Sequence, residues 1–414
     1  MKNTVLKKIL IGISAVGPGL FLIGYNIGTG SITTMAKTGA EHGMGLFWAL
    51  VLSCVFTFIL MVAYGKVTLV SGNTALFNFK QHFKGGWILA VYIIIALIIG
   101  ELLALMGIMG IVADLIQEGL RLTLSGYQVD TFWIILFFSI LLVIFLFIGR
   151  YQVFEKVLTV FVTIMGLSFI LVFFLLKPDL GVILSGMVPK IPDSPGSFGL
   201  IAAIAGTTCS AAVFIMRSTV IVEKGWTIKH IKTQQRDAFV SVGMMLFLSA
   251  VIMAVAAGTL HVMGMKLDNT IEMIQLFEPI GGKVAALILI VGIAGAGLST
   301  VFPILLIAPW LVADYRGTSR DIHSPTARIL IILAMFFAFG SVFIEERPPA
   351  LMVFSQAFQA CILPAVAIPI YLLYNDRNVM KHNKAGILLN VGLIMVIMYS
   401  LLTTILAVLD FFDN

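Results

Sequence analysis

The chain has 414 residues, of which 60% are hydrophobic and only 11% are charged. A soluble globular protein needs a more highly charged surface, so this composition predicts an integral membrane protein. The formal net charge of +6 comes from basic residues scattered through short connections, which argues against a nucleic-acid partner. The three cysteines all lie in apolar segments, so no disulfide framework is expected.

Apolar segments of the length that an α-helix needs to cross a bilayer recur along the whole chain. Eleven spans are predicted, and their length excludes the alternating strands of an outer-membrane barrel. The connections are too short to fold alone, so a single transmembrane domain over 1–414 is expected. The predicted spans are 9–37, 45–70, 87–115, 131–149, 153–176, 197–222, 238–262, 281–310, 327–344, 350–374 and 385–409.

Lysine and arginine concentrate at the N-terminus and in every second connection between the predicted spans. Positively charged short connections stay on the cytoplasmic side of a membrane. We therefore expect a cytoplasmic N-terminus and, because the number of spans is odd, a C-terminus on the outside.

Two predicted spans contain stretches that disfavour continuous helix. In span 1 the stretch Asn26-Ile27-Gly28-Thr29-Gly30-Ser31 combines flexible glycines with side chains that compete for backbone hydrogen bonds. Span 6 contains a similar stretch over 205–212. Non-helical backbone survives in hydrocarbon only where it is buried in protein or lines a cavity, and such matched interruptions are typical of the binding sites of secondary transporters. The pattern predicts inverted repeats over about 9–176 and 197–374, with an extra helix over 385–409.

Short motifs in order along nearly the whole chain carry a family resemblance. They are Val16-Gly17-Pro18-Gly19, Gly100-Glu101, Ser355-Gln356, Leu363-Pro364 and Asn375-Asp376-Arg377. Together they resemble the Nramp family of proton-coupled divalent metal transporters. The resemblance implies an all-α LeuT-type fold: eleven transmembrane helices in a 5+5 inverted repeat with broken helices 1 and 6, plus one extra helix. It also implies transport by alternating access.

The segments that hold the metal in the family differ in this chain. The resemblance places the family's Asp-Pro-Gly-Asn motif on Gly28-Thr29-Gly30-Ser31 and its Met-Pro-His motif on Ser210-Ala211-Ala212. Without the carboxylate and the thioether the site is expected to be poor for Mn, Fe or Cd. The remaining oxygens suit a hard ion such as Mg²⁺, a monovalent ion or a polar solute. The predicted substrate-binding residues are Asn26, Gly28, Ser31, Thr207, Ser210 and Gln356, and the candidate metal ligands among them are Ser31, Thr207, Ser210 and Gln356.

Two charged side chains inside predicted spans are the candidates for proton coupling. Glu101 takes the place of the family's proton-accepting acid, and the alternative is a structural acid held in an ion pair. Arg217 falls on the family's second histidine but cannot release its proton. One hypothesis pairs Arg217 with Glu101, directly or through water. The other has Arg217 extend to the cytoplasmic side and anchor its span.

The sequence therefore predicts a secondary active transporter of a small cation, expected to be a divalent metal ion, in the cytoplasmic membrane, with the proton as coupling ion. Two alternatives stay open. One is a transporter of a neutral or anionic organic solute on the same scaffold, and the other is a membrane sensor that transports nothing. The sequence contains no nucleotide-binding loop and no nucleophile–base arrangement, so neither enzymatic activity nor a cofactor is expected.

Overall fold

The structure is a computed structural model that describes residues 28–124, 129–149, 151–277, 281–344, 348–381, 383 and 386–413. Regular structure in these residues is entirely helical, as the sequence predicts. Two 3-10 helices, Ile228–His230 and Thr270–Phe277, accompany the α-helices. The α-helices are α1 (Thr29–His42), α2 (Phe47–Ser71), α3 (Ala75–His82), α4 (Gly86–Thr123), α5 (Thr131–Phe147), α6 (Tyr151–Leu176), α7 (Leu180–Ser185), α8 (Ser197–Thr208), α9 (Ala211–Glu223), α10 (Ile231–Gly258), α11 (Gly282–Arg316), α12 (Pro325–Phe337), α13 (Gly340–Phe343), α14 (Pro348–Asn375), α15 (Arg377–Met380) and α16 (Ile387–Asp413).

Eight helical segments in the described part of the chain are long and apolar enough to cross a membrane. Two shorter apolar segments, α5 and Val160–Leu176 of α6, stand where spans 4 and 5 are predicted. Helix α1 is the described part of span 1. The chain is thus a multi-pass membrane protein, with helices in the order predicted. The eight segments are Phe47–Ser71, Gly86–Thr123, Ser197–Glu223, Ile228–Gly258, Gly282–Arg316, Pro325–Phe343, Pro348–Asn375 and Ile387–Phe412.

The outer surface of the helices is apolar. Trp133, Phe174 and Leu388 are each more than half exposed. A protein in water rarely carries so extensive an apolar surface, whereas a lipid-facing surface requires one. Exposure of large apolar side chains therefore supports the membrane assignment independently of helix length.

Helices α4 and α11 run past the predicted ends of their spans, to Thr123 and Arg316. In the added part of α4, the Arg121 Nη2 donates to the Glu118 carboxylate at 2.8 Å, one helical turn away. Hydropathy marks where a helix leaves the hydrocarbon rather than where it ends. The helices therefore continue beyond the predicted spans, which end at 115 and 310.

The predicted interruption of span 6 is a short break between α8 and α9. Cys209 leaves helical geometry with φ −105° and ψ 47°, and Ser210 is extended with φ −64° and ψ 128°. The Thr57 hydroxyl of α2 shares its hydrogen between the Ser53 carbonyl of its own helix at 2.8 Å and the Thr208 carbonyl at 3.0 Å. This bond gives a backbone acceptor at the break a partner inside the protein, as hydrocarbon requires.

The described part of span 1 begins inside its predicted interruption. Helix α1 starts at Thr29, and Gly28 before it is extended, with φ −85° and ψ −175°. Asn26 and Ile27 lie outside the described residues. A helix therefore begins within the stretch 26–31 that was predicted to disfavour continuous helix.

Helices α8 and α14 approach each other closely at Gly206. A β-carbon there would lie 2.8 Å from the Gln356 carbonyl carbon and 3.0 Å from the Ala360 amide nitrogen. Only glycine fits that space without moving a backbone. The close approach brings Gln356 beside the end of α8.

We expect the Gly206→Ala variant to lose about 1–3 kcal/mol of stability, because the added methyl group overpacks two backbones. The measurement is the thermal unfolding midpoint of the detergent-purified protein. Gly243→Ala is the matched control, because Gly243 lies within α10 and an added β-carbon there meets nothing within 4 Å. A Gly206→Ala midpoint equal to that of the control would contradict the packing of α8 on α14.

Candidate functional site

A small cavity lies where the start of α1 meets the break between α8 and α9. Its volume of about 30 Å³ has room for about one water molecule or a bare ion. Glu101 lines the cavity, and so do most of the predicted binding residues: Gly28, Ser31, Thr207, Ser210 and Gln356. Asn26, which was predicted with them, lies outside the described residues. The other described lining residues are Gly30, Ala104, Ile108, Thr300, Ile304, Met352 and Gln359.

Glu101 of α4 is the one ionisable side chain among the described residues that line the cavity. It is 3% exposed and sits near the middle of its helix. The helix ends at the cavity contribute opposing partial charges, with amide ends from α1 and α9 and a carbonyl end from α8. The formal charge of the site therefore depends on Glu101, and its carboxylate gives the cavity an attraction for cations or for a proton.

Hydroxyl and amide groups of four helices surround the rest of the cavity. The Ser210 hydroxyl donates to the Gln359 side-chain oxygen of α14 at 2.8 Å. Because its hydrogen points to Gln359, the Ser210 oxygen keeps lone pairs that can accept from, or coordinate, a substrate. The Ser31 hydroxyl lies 3.4 Å from that of Ser249 on α10, and the Gln356 amide donates to the Ser355 hydroxyl at 3.4 Å. The short bond between Ser210 and Gln359 orients these two side chains at the cavity.

Thr300 of α11 is a cavity residue that sequence reasoning missed. A β-carbon at Gly28 would lie 2.9 Å from the Thr300 Cγ2 and 3.1 Å from its Cβ, and nearer still to its hydroxyl oxygen. The hydroxyl itself donates to the Ala296 carbonyl at 2.8 Å. Packing therefore requires glycine at position 28, and a neutral oxygen from α11 occupies the space beside it. A threonine that bonds to its own helix gives no sequence signal of such a role.

Met352 of α14 is the second cavity residue that was missed, and it brings the site a thioether. It is 1% exposed, and its side chain reaches between α1 and α4. A β-carbon at Gly107 would lie 3.1 Å from the Met352 sulfur, and one at Gly30 would overlap its methyl group. The Met352 side chain therefore lies in space that is free because residues 30 and 107 are glycine.

The described residues contain no group of three or more histidine, cysteine, aspartate or glutamate side chains that could hold a metal ion. A cation in the cavity would instead meet one carboxylate, several neutral oxygens and one thioether. Such a set binds less tightly than a cluster of charged ligands.

Comparison with known proteins gives one consistent result. The model of the family described as Nramp, natural resistance-associated macrophage protein-like, matches residues 19–410. The divalent metal cation transporter MntH of Deinococcus radiodurans is 21% identical over 88% of this chain and 82% of its own. A mutant of the Eremococcus coleocola manganese transporter is similar in structure, with TM-score 0.71 and 14% identity over 95% of this chain and 85% of its own. Mhp1, a nucleobase-cation-symport-1 family transporter, is also similar in structure, with TM-score 0.61 and 15% identity over 95% of this chain and 90% of its own. These structures confirm the predicted LeuT-type fold.

Arg217 is fully buried but does not line the cavity. Its Nη2 donates to the Asp237 carboxylate at 2.9 Å and to the Gln234 carbonyl at 3.1 Å, both on α10. Arg217 therefore pairs with Asp237 and not, as one hypothesis proposed, with Glu101. The other hypothesis, that its side chain extends to the cytoplasmic surface, is also wrong, because the side chain is fully buried. The reason is that α10 begins at Ile231, earlier than predicted, which places Asp237 inside the protein beside α9.

The ion pair between Arg217 and Asp237 leads to a double-mutant prediction. Arg217→Met and Asp237→Leu should each lower stability by about 3–5 kcal/mol, because each leaves an uncompensated buried charge. The double variant should lie closer to the wild type, since both charges are then removed. Thermal unfolding midpoints of the purified proteins would test this. If the double variant loses as much as both single variants added together, the two side chains do not interact.

Proposed function

The chain belongs to the Nramp family, and we propose that it is a secondary active transporter that moves a divalent metal ion across the cytoplasmic membrane by alternating access. Membership of this family makes it a transport protein rather than an enzyme. The observation that carries the proposal is the Glu101 carboxylate at an ion-sized cavity beside the start of α1 and the break between α8 and α9. The similarity to divalent metal cation transporters supports it.

The size of the cavity supports an ion over an organic solute. A volume of about 30 Å³ accommodates one water-sized species. Sites for small organic molecules are roughly ten times larger or more. The ion would therefore lose most of its hydration shell and exchange it for Ser31, Thr207, Ser210 and Gln356, the ligands in this proposal.

The charge of the site supports a cation. With Arg217 paired to Asp237 and absent from the cavity lining, the negative charge of Glu101 is not offset by that guanidinium. A neutral or anionic solute would gain nothing from a carboxylate at this place. Glu101 is also the candidate proton site, because an acid buried within a span is the usual marker of a proton path.

The orientation and internal symmetry are part of the same proposal. The distribution of lysine and arginine supports a cytoplasmic N-terminus and an external C-terminus. The break between α8 and α9 and the start of α1 at Thr29 support two inverted repeats, over about 9–176 and 197–374, with an extra helix over 385–409. In this arrangement the cavity lies between repeats that move against each other.

Uptake into proteoliposomes under an inward proton gradient tests the proposal, with Mn²⁺, Cd²⁺, Mg²⁺ and a panel of small organic solutes. We expect metal uptake by the wild type and a loss of about 10-fold or more in Glu101→Gln, because contacts to a charged group contribute about 1.5–3 kcal/mol.

Glu118→Gln provides the matched control for this experiment. Glu118 lies on the same helix and is also buried, but it pairs with Arg121 and does not line the cavity. Its variant should transport like the wild type. Metal uptake that Glu101→Gln leaves unchanged, or flux of an organic solute with no metal flux, would overturn the proposal.

A further inference from the structure

The position of Met352 bears on which ions the site accepts. This residue lies in the second turn of α14, almost wholly buried, and forms part of the cavity lining. The sulfur is next to Gly107 of α4, and the terminal methyl group is next to Gly30 of α1. Gly30 and Met352 both line the cavity, and the methyl group on the Met352 sulfur is the part of the side chain beside Gly30.

Packing keeps this side chain at the cavity. Any residue larger than glycine at position 30 or 107 would occupy the space of the Met352 methyl group or crowd its sulfur. Methionine is unbranched and turns easily about its last bonds. Small rotations of the thioether at this place can therefore direct a sulfur lone pair into the cavity without moving a helix.

Sulfur changes the preference of a site that is otherwise built of oxygen. Carboxylate, hydroxyl and amide oxygens favour hard ions such as Mg²⁺ and Ca²⁺, whereas a thioether favours softer ions. One thioether beside one carboxylate is a mixed set of donors. Such a set gives little extra affinity to a hard ion and substantial extra affinity to a soft one.

We propose that Met352 is the specificity-determining ligand of the transported ion and makes the site prefer a borderline or soft divalent metal ion over Mg²⁺ and Ca²⁺. This inference rests on the proposed function and deepens it. It also revises the expectation from sequence, which counted no thioether at the site. The missing soft donor comes from α14 instead of the break between α8 and α9.

The alternative role of Met352 is packing, since methionine commonly fills irregular space in an apolar core. Leucine has nearly the same volume and no sulfur, so Met352→Leu keeps the packing and removes the donor. A packing defect would weaken the binding of all ions alike. Loss of a soft ligand would weaken only the softer ones.

The experiment measures the binding of Cd²⁺ and Mg²⁺ by the purified full chain with isothermal titration calorimetry. We expect the wild type to prefer Cd²⁺. In Met352→Leu the Cd²⁺ affinity should fall at least about 10-fold, since losing even the supporting partner of a ligand costs 10–100-fold. The Mg²⁺ affinity should stay the same. Met109→Leu is the control, because Met109 is equally buried on α4 but does not line the cavity.

The outcomes separate this inference from the proposed function. Equal loss of both ions in Met352→Leu, or no change in either, would overturn the role of Met352 while leaving metal binding intact. A wild type that binds Mg²⁺ but not Cd²⁺ would do the same. A wild type that binds neither ion would overturn the proposed function, and the role of Met352 with it.

Discussion

Backbone groups that a helix interruption releases inside hydrocarbon must find partners within the protein, and this requirement shapes the centre of the molecule. At the break between α8 and α9, the Thr208 carbonyl accepts a hydrogen bond from the Thr57 hydroxyl. Gly206 meanwhile lets α14 come close enough to enclose the same region. An interruption protected in this way leaves polar groups around a cavity rather than in contact with lipid. The position of the site thus follows from the need to bury the break.

The chemistry of the cavity follows from which side chains fill the space around the break. Position 28 cannot carry a side chain because Thr300 occupies the neighbouring space, so the first helix contributes no charge there. The charge comes instead from Glu101 on α4. Arg217 of α9 pairs with Asp237 of α10 and does not line the cavity. The cavity consequently combines one carboxyl group with neutral oxygens and a thioether.

Sequence reasoning predicted the features that depend on local pattern. Long apolar runs predicted the spans, and glycine among small polar residues predicted the break between α8 and α9. The lone acid in an apolar span marked Glu101 as a site residue, and the structure places it at the cavity. Thr300, Met352 and the Arg217–Asp237 pair were missed because their roles depend on packing between helices far apart in sequence. Met352 is one of 20 methionines, and nothing in its neighbours along the chain distinguishes it.

The central claim is that an ion binds between the start of α1 and the break between α8 and α9, beside Glu101. The most direct test is anomalous X-ray scattering from crystals of the wild-type protein grown with Cd²⁺, an ion whose position such data reveal without assumptions about its ligands. Our account predicts an anomalous peak inside the cavity, next to the side chains of Ser31, Thr207, Ser210 and Gln356 and beside the Glu101 carboxyl group. Anomalous peaks confined to the protein surface, with none in a cavity formed by these residues, would contradict it.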